Sequence, residues 1–308
     1  MSRVHDALRK AAQEPAEPSR TASPDPSRRR AAALDSPGRF LPENVSPEND
    51  LLDDILPVNM DDVLRNAAVV PYHPLPESLL VNPEKPREAP GEEFRSLRTR
   101  LNHMQTLQDL HTLVVSSASP AEGKSFTAAN LALTQAHLAD KRVLLADFDF
   151  RRPSVDKTFQ IPSSPGLTDY LRGLAPLGSI IRKLDSTNLH VITAGASVPN
   201  PLEILNLRGC KSLLATLKQS FDWVIIDSPP LLFAADGNLL STMCDGTILV
   251  VRIGSTTSDT VTRALQSLCE NNVLGIVVNG ARRGELYSKY TYYHDYYGSG
   301  EQKPPDAV

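Results

Sequence analysis

The residues best suited to chemistry fall in three short stretches. The first runs from Ser116 to Ser125 and closes on Gly123, Lys124 and Ser125. A lysine and a hydroxyl directly after a glycine, between an apolar run and a helix-forming run, suit the binding of a polyphosphate. Loop N–H groups and the positive end of the following helix would face the anion. Lys124 would contact the β- and γ-phosphates, and the Ser125 hydroxyl would ligate Mg2+. The expected ATP-contact set is Ser119, Pro120, Ala121, Glu122, Gly123, Lys124, Ser125 and Phe126. The match falls one position short of G-x-x-x-x-G-K-[ST], because Ala118 stands at the first glycine.

The second stretch closes an apolar run with Asp147 and Asp149. Two positions apart on an extended strand, their side chains point the same way. Two carboxylates on one face repel unless a cation or a proton lies between them. Asp149 as a turn cap is the plainer alternative. The third stretch, Trp223 to Ile226, ends in a single acid, Asp227, as a Walker B element does. Ser125, Asp149 and Asp227 are therefore the expected Mg2+ ligands, directly or through water.

Short β-branched and aliphatic runs at 112–116, 142–147, 189–193, 223–227, 247–252 and 274–279 read as strands. Helix-like stretches at 125–139, 201–220, 234–243 and 257–271 separate them. Near-continuous apolar strands imply a sheet covered on both faces, and alternation with helices implies parallel crossovers. The expected fold is α/β: a P-loop, doubly wound, mostly parallel sheet over 88–282, with ligands outside the carboxyl ends of the strands. Fourteen of the 25 prolines precede residue 91, so 12–87 is expected as a mostly disordered linker, with a transient helix at 50–68 where Leu51, Leu52, Ile55, Val58 and Val63 give apolar character. Residues 1–11 fit a short helix, with Val4, Ala7, Leu8 and Ala11 on one face. Residues 283–308 read as a flexible tail.

Composition narrows the partners. With 22% charged residues and a net charge of −4, nothing points to nucleic acid. The longest apolar runs are far below the roughly 18–20 residues a bilayer crossing needs, and the N-terminus has no apolar signal core. Cys210, Cys244 and Cys269 form no C-x-x-C pair and fit buried thiols in a reducing, cytoplasmic setting.

Taken together, 121–125, 147–153 and 224–230 resemble the Walker A, A′ and B motifs of bacterial tyrosine autokinases of capsule and exopolysaccharide synthesis. Glu92, Arg95 and Arg98 are similar to that family's E-x-x-R-x-x-R helix, which joins subunits into a ring. Asn200 to Leu205 is similar to its N-P-x-E-L-L segment, and residues 2–11 look like the opening of its soluble members. The resemblance covers about 88–297. It implies Mg·ATP-dependent tyrosine phosphorylation between subunits, with Asp147 beside Lys124 as the group that orients and deprotonates the tyrosine. It also implies a membrane-spanning activator of the polysaccharide chain-length or co-polymerase type, a cognate tyrosine phosphatase, and a place at the inner membrane face. Two departures stand out. Ala121 replaces a usual glycine and Phe126 a small or hydroxylated residue. An alanine resists φ > 0, so ATP binding would weaken if that position is left-handed.

Six of the eight tyrosines crowd one stretch: Tyr287, Tyr290, Tyr292, Tyr293, Tyr296 and Tyr297. The doublets break the two-residue alternation of a half-buried strand. Beside a phosphate loop, such a tail reads as the phosphoacceptor. Two alternatives remain open. Positioning and partition ATPases share the fold but carry a second lysine after the first loop glycine, where Ser119 stands here. A nucleotide-dependent scaffold would leave the tyrosines as a docking patch.

Overall fold

The computed structural model describes residues 59–72, 91–268 and 273–281. Eight strands join in one sheet: β1 (Ala68–Val70), β2 (Thr112–Ser117), β3 (Val143–Asp147), β4 (Arg182–Leu184), β5 (Leu189–Ile192), β6 (Trp223–Asp227), β7 (Gly246–Arg252) and β8 (Val273–Asn279). Their spatial order is β1-β4-β5-β3-β6-β2-β7-β8. Every pairing is parallel except β4 with β5.

The apolar runs of β2, β3, β5 and β6 form strands because both sides of each find a core, whereas β8 leaves Val273, Ile276 and Val278 exposed. Leu113, Val115, Val143, Leu145, Trp223 and Ile225 pack toward the helices Gly91–Leu107 and Lys124–Ala136. Their neighbours Val114, Leu144, Ala146, Val224 and Ile226 pack toward Arg208–Ser220 and Ala235–Met243. This two-residue alternation between two buried layers explains why the strands look uniformly apolar. The largest fully buried side chain, Trp223, donates its indole N–H to Asn102 Oδ1 at 3.0 Å. Truncating it to alanine would cost about 3–5 kcal/mol.

Two features differ from the expected layout. Part of the stretch expected as linker is ordered: Asn59 caps a helix, Met60–Arg65, and β1 adds to the sheet beside β4. The cause is apolar burial, since Met60, Val63, Leu64 and Ala67 pack against the second core layer. The helix expected at 201–220 is also split into Pro201–Asn206 and Arg208–Ser220. Leu207 takes extended angles between them (φ −59°, ψ 142°), which breaks the i→i−4 ladder.

Cys210 and Cys244 are buried thiols. Among the described residues no helix is long and apolar enough to cross a membrane. The expected helix at 1–11, Cys269 and the tyrosines at 287–297 lie outside the described residues.

Candidate active site

The carboxyl ends of β2, β3 and β6 lie side by side, with Asp147 opposite Asp227 in the β3–β6 register. Into this point the loop after β2 delivers Lys124 at the start of its helix. Lys124 Nζ lies 2.7 Å from Asp149 Oδ2, 3.5 Å from Asp227 Oδ1 and 3.1 Å from Ser125 Oγ. The structure thus brings the side chains of Lys124, Ser125, Asp149 and Asp227 together at one point.

Charge here is unbalanced. Asp147, Asp149 and Asp227 are all buried, with one ammonium among them. Burial drives the Asp227 carboxyl above its usual range, while the Lys124 charge opposes the rise. Both Asp227 oxygens are buried, and the Lys124 ammonium and the Ser125 hydroxyl are the groups that bear on them. Burial disfavours charge on Lys124 as well, but Asp227 and Asp149 outweigh it and raise its pKa. Buried carboxylate oxygens beside a hydroxyl are donors suited to a hard cation. No group of three or more His, Cys, Asp or Glu side chains among the described residues could hold a metal alone. Such a cation would need ligand oxygens as well.

Asp147 plays a different part. Its Oδ2 accepts the backbone N–H groups of Ser154 (2.9 Å) and Val155 (3.0 Å), and its Oδ1 accepts that of Asp149 (3.1 Å). Asp149 in turn accepts the Arg152 N–H at 3.0 Å. Burial, reinforced by the Asp227 charge, pushes Asp147 up to about 8 against the pull of its three N–H donors. Arg151 is not directed at the lysine. It grips Asp236 with two hydrogen bonds of 2.7 and 3.1 Å.

The phosphate loop has a left-handed turn at two positions, Ala121 (φ 63°) and Gly123 (φ 95°). The alanine therefore stands in the conformation that favours glycine, at a cost of about 1–2 kcal/mol. Of the other loop residues, Ser119 donates its N–H to Glu122 Oε2 at 2.9 Å, and Pro120 is exposed. Phe126 turns its ring onto Phe94 (centroids 6.4 Å apart) at the edge of the core. Only its backbone is left to serve a ligand. Three braces escaped sequence reasoning: Arg252 donates to Ala121 O (3.1 Å), Asn279 to Glu122 O (3.1 Å), and Thr256 bonds Glu122. Asn279 and Arg252 carried a signal, each as the polar end of an apolar strand, and Thr256 carried none.

The helix Gly91–Leu107 places the remaining candidates. Arg95 Nε pairs with Glu92 Oε2 at 2.9 Å, and Arg98 donates to Thr134 O at 2.9 Å near the end of the phosphate-loop helix. A cavity of about 650 Å3 lined by Asp61, Lys141, Arg142, Lys183 and His190 lies elsewhere, near the opposite ends of β3 and β5.

No family model matches the chain. Among curated proteins, tyrosine-protein kinase YwqD of Bacillus subtilis is 34% identical over 211 residues, covering 68% of this chain and 88% of its own. Tyrosine-protein kinase Etk of Escherichia coli K12 is 31% identical over 209 residues, 67% of this chain but 29% of its own length. The chain thus spans most of the first relative and under a third of the second. The solved kinase domain of E. coli Etk superimposes with a TM-score of 0.63 at 30% identity, covering 66% of this chain and 80% of that one. The chimerical protein CapA2B2 gives a TM-score of 0.62 at 28% identity, covering 71% and 97%. With Lys124, Asp149 and Asp227 gathered at the strand ends and these relatives alongside, the chain belongs to the bacterial tyrosine-kinase family of P-loop enzymes.

Proposed function

We propose that this protein transfers the γ-phosphoryl group of Mg·ATP to tyrosines of its own C-terminal cluster, from one subunit to the next. The observation that carries the reading is the contact of Lys124 with Asp149 and Asp227 at the mouth of a phosphate loop. A bound polyphosphate would draw Lys124 onto its β- and γ-oxygens and leave Asp149, Asp227 and Ser125 to hold Mg2+. Mg2+, when bound, bridges phosphate oxygens and offsets their charge. Asp147 is the proposed acceptor of the tyrosine proton, and its raised pKa suits a base working near neutral pH. The acceptors are Tyr287, Tyr290, Tyr292, Tyr293, Tyr296 and Tyr297.

Transfer between subunits calls for a homo-oligomer, with Glu92, Arg95 and Arg98 at the contact. Arg98 is already spent on Thr134 O and Glu92 on Arg95, with Glu92 the more exposed of that pair. Six phosphotyrosines would add roughly −9 to −12 charges to a chain of net −4 and loosen a closed ring. The names of relatives include a putative tyrosine-protein kinase in a cps region of Klebsiella pneumoniae and the chimerical protein CapA2B2. By that analogy the protein regulates polysaccharide synthesis or export at the inner membrane face, with a membrane-spanning activator and a phosphatase.

Incubation with Mg·ATP followed by mass spectrometry, beside a Lys124→Met control, tests this. A fusion with an activator's cytoplasmic tail runs in parallel. Phosphate on 287–297 that vanishes in the control is the expected result. Nucleotide hydrolysis over an unmodified tail, activator fusion included, would return the protein to the scaffold class.

A further inference from the structure

We infer that Asn279 and Arg252 are positioning residues for nucleotide binding: they hold the left-handed Ala121–Glu122 turn of the phosphate loop in its binding shape. The inference rests on reading that loop as the nucleotide site. A non-glycine residue in this conformation persists only where its surroundings over-determine it. Here the two carbonyls that follow the strained bond are both held from outside the loop. Arg252 Nη1 donates to Ala121 O and Asn279 Nδ2 to Glu122 O, each at 3.1 Å.

Peptide planarity makes these contacts directional. In a trans peptide the C=O and the next N–H point opposite ways. Pinning the Ala121 and Glu122 carbonyls outward therefore aims the Glu122 and Gly123 N–H groups to the other side. Successive N–H groups turned to one side form a nest for an anion. The remaining bonds hold the latch itself in place. Asn279 Oδ1 accepts the Gly280 N–H at 2.8 Å, which orients the amide so that Nδ2 faces the loop. A β-carbon on Gly123 would lie 1.9 Å from that Nδ2, so the glycine is also required for Asn279 to reach. Glu122 closes the frame, bonded to the Ser119 N–H and to Thr256.

The two residues are not equal. Asn279 is half-buried, whereas Arg252 is exposed, so water competes with its bond. Asn279→Ala should weaken ADP binding about fivefold and Arg252→Ala about threefold. The loss should fall in KM for ATP more than in kcat. Asn279→Asp, which cannot donate to a carbonyl, should do no better than alanine.

The decisive test is a cycle on the full chain, with Mg·ADP binding measured by calorimetry beside melting temperatures. In an Ala121→Gly background, where the turn needs no restraint, Asn279→Ala should lose less than half of its effect in the alanine background. An Asn279→Ala chain that binds like wild type, or loses equal affinity in both backgrounds, overturns the latch. Wild-type protein that binds no nucleotide would instead overturn the kinase reading, and the latch with it.

Discussion

Two loops meet at Lys124, and they are held largely by different means. The loop after β3 is fastened mainly from within, with Arg151 reaching Asp236 as a longer tie. Asp147 binds the N–H groups of residues 149, 154 and 155, and Asp149 binds that of 152. The phosphate loop is fastened from a distance, by Arg252, Thr256 and Asn279, which lie 131 to 157 positions further along. A locally held loop carries its restraint in its own sequence and tolerates change elsewhere. One held from afar depends on the sheet edge staying in place. The first can be read from a motif; the second needs the fold.

The largest effect is expected where the loops touch. Lys124→Met should cut tail phosphorylation by at least about 10^2–10^3-fold, the scale of losing one preorganised electrostatic group. It would also leave Asp149 and Asp227 without their ammonium. Retained phosphorylation would mean that the meeting point of the loops is not the site of transfer.

Acidity separates the loops from the sheet beneath them. His190 is 7% exposed and edge-on to Phe221. Burial, with Lys183 and Arg142 adding to it, lowers its pKa to about 4. The unfolded chain therefore holds the extra proton between about 6.5 and 4. Stability from this group is present above the unfolded value and lost as pH falls through the folded one, up to about 3 kcal/mol. The raised Asp147 and Asp227 act with the opposite sign, since a native state that keeps its protons loses stability as pH rises. His190→Phe should flatten the acid side of a melting-temperature profile and leave the alkaline side alone. An unchanged acid limb would move the acid lability into the loops.

Asp147→Asn tests the local fastening. An asparagine offers one acceptor oxygen where three N–H groups converge, and turns an amide donor on the others. Leaving buried donors unpaired costs about 1–3 kcal/mol, or a melting temperature lower by roughly 5 °C. Lost activity with unchanged melting would show that Asp147 serves only the chemistry.

The same contrast explains what the sequence disclosed. Six of the eight strands were legible because each is an apolar run, with both faces buried in β2, β3, β5 and β6 and one face exposed in the edge strand β8. β1 and β4 were not: each has three residues, and β4 contains Arg182 and Lys183. Arg182 is buried all the same, because its guanidinium reaches Thr193 Oγ1 (3.0 Å) and Pro165 O (2.9 Å). No hydropathy pattern signals a charge satisfied in that way. In the site, Lys124, Ser125, Asp149 and Asp227 were legible from their places at strand ends. The involvement of Glu122 with Thr256 was not, nor was the inward turn of Phe126, since both depend on elements far along the chain.

The smallest effect discriminates most finely. Ala121→Gly removes a left-handed penalty of about 1–2 kcal/mol from the folded state but gives the unfolded chain about 0.5–1 kcal/mol more entropy to lose. The net gain is about 0–1.5 kcal/mol, or a rise of up to roughly 4 °C in melting temperature. Nucleotide affinity is a separate question. If Arg252 and Asn279 already hold the turn, its strain is borne when the protein folds, and the free loop is as ready as the bound one. Affinity for Mg·ADP should then change by less than about twofold. A gain of about fivefold or more would mean that the free alanine loop spends most of its time relaxed, with the strain met on binding. The distant fastening would then be too weak to preorganise the loop, and the contrast between the two loops would disappear.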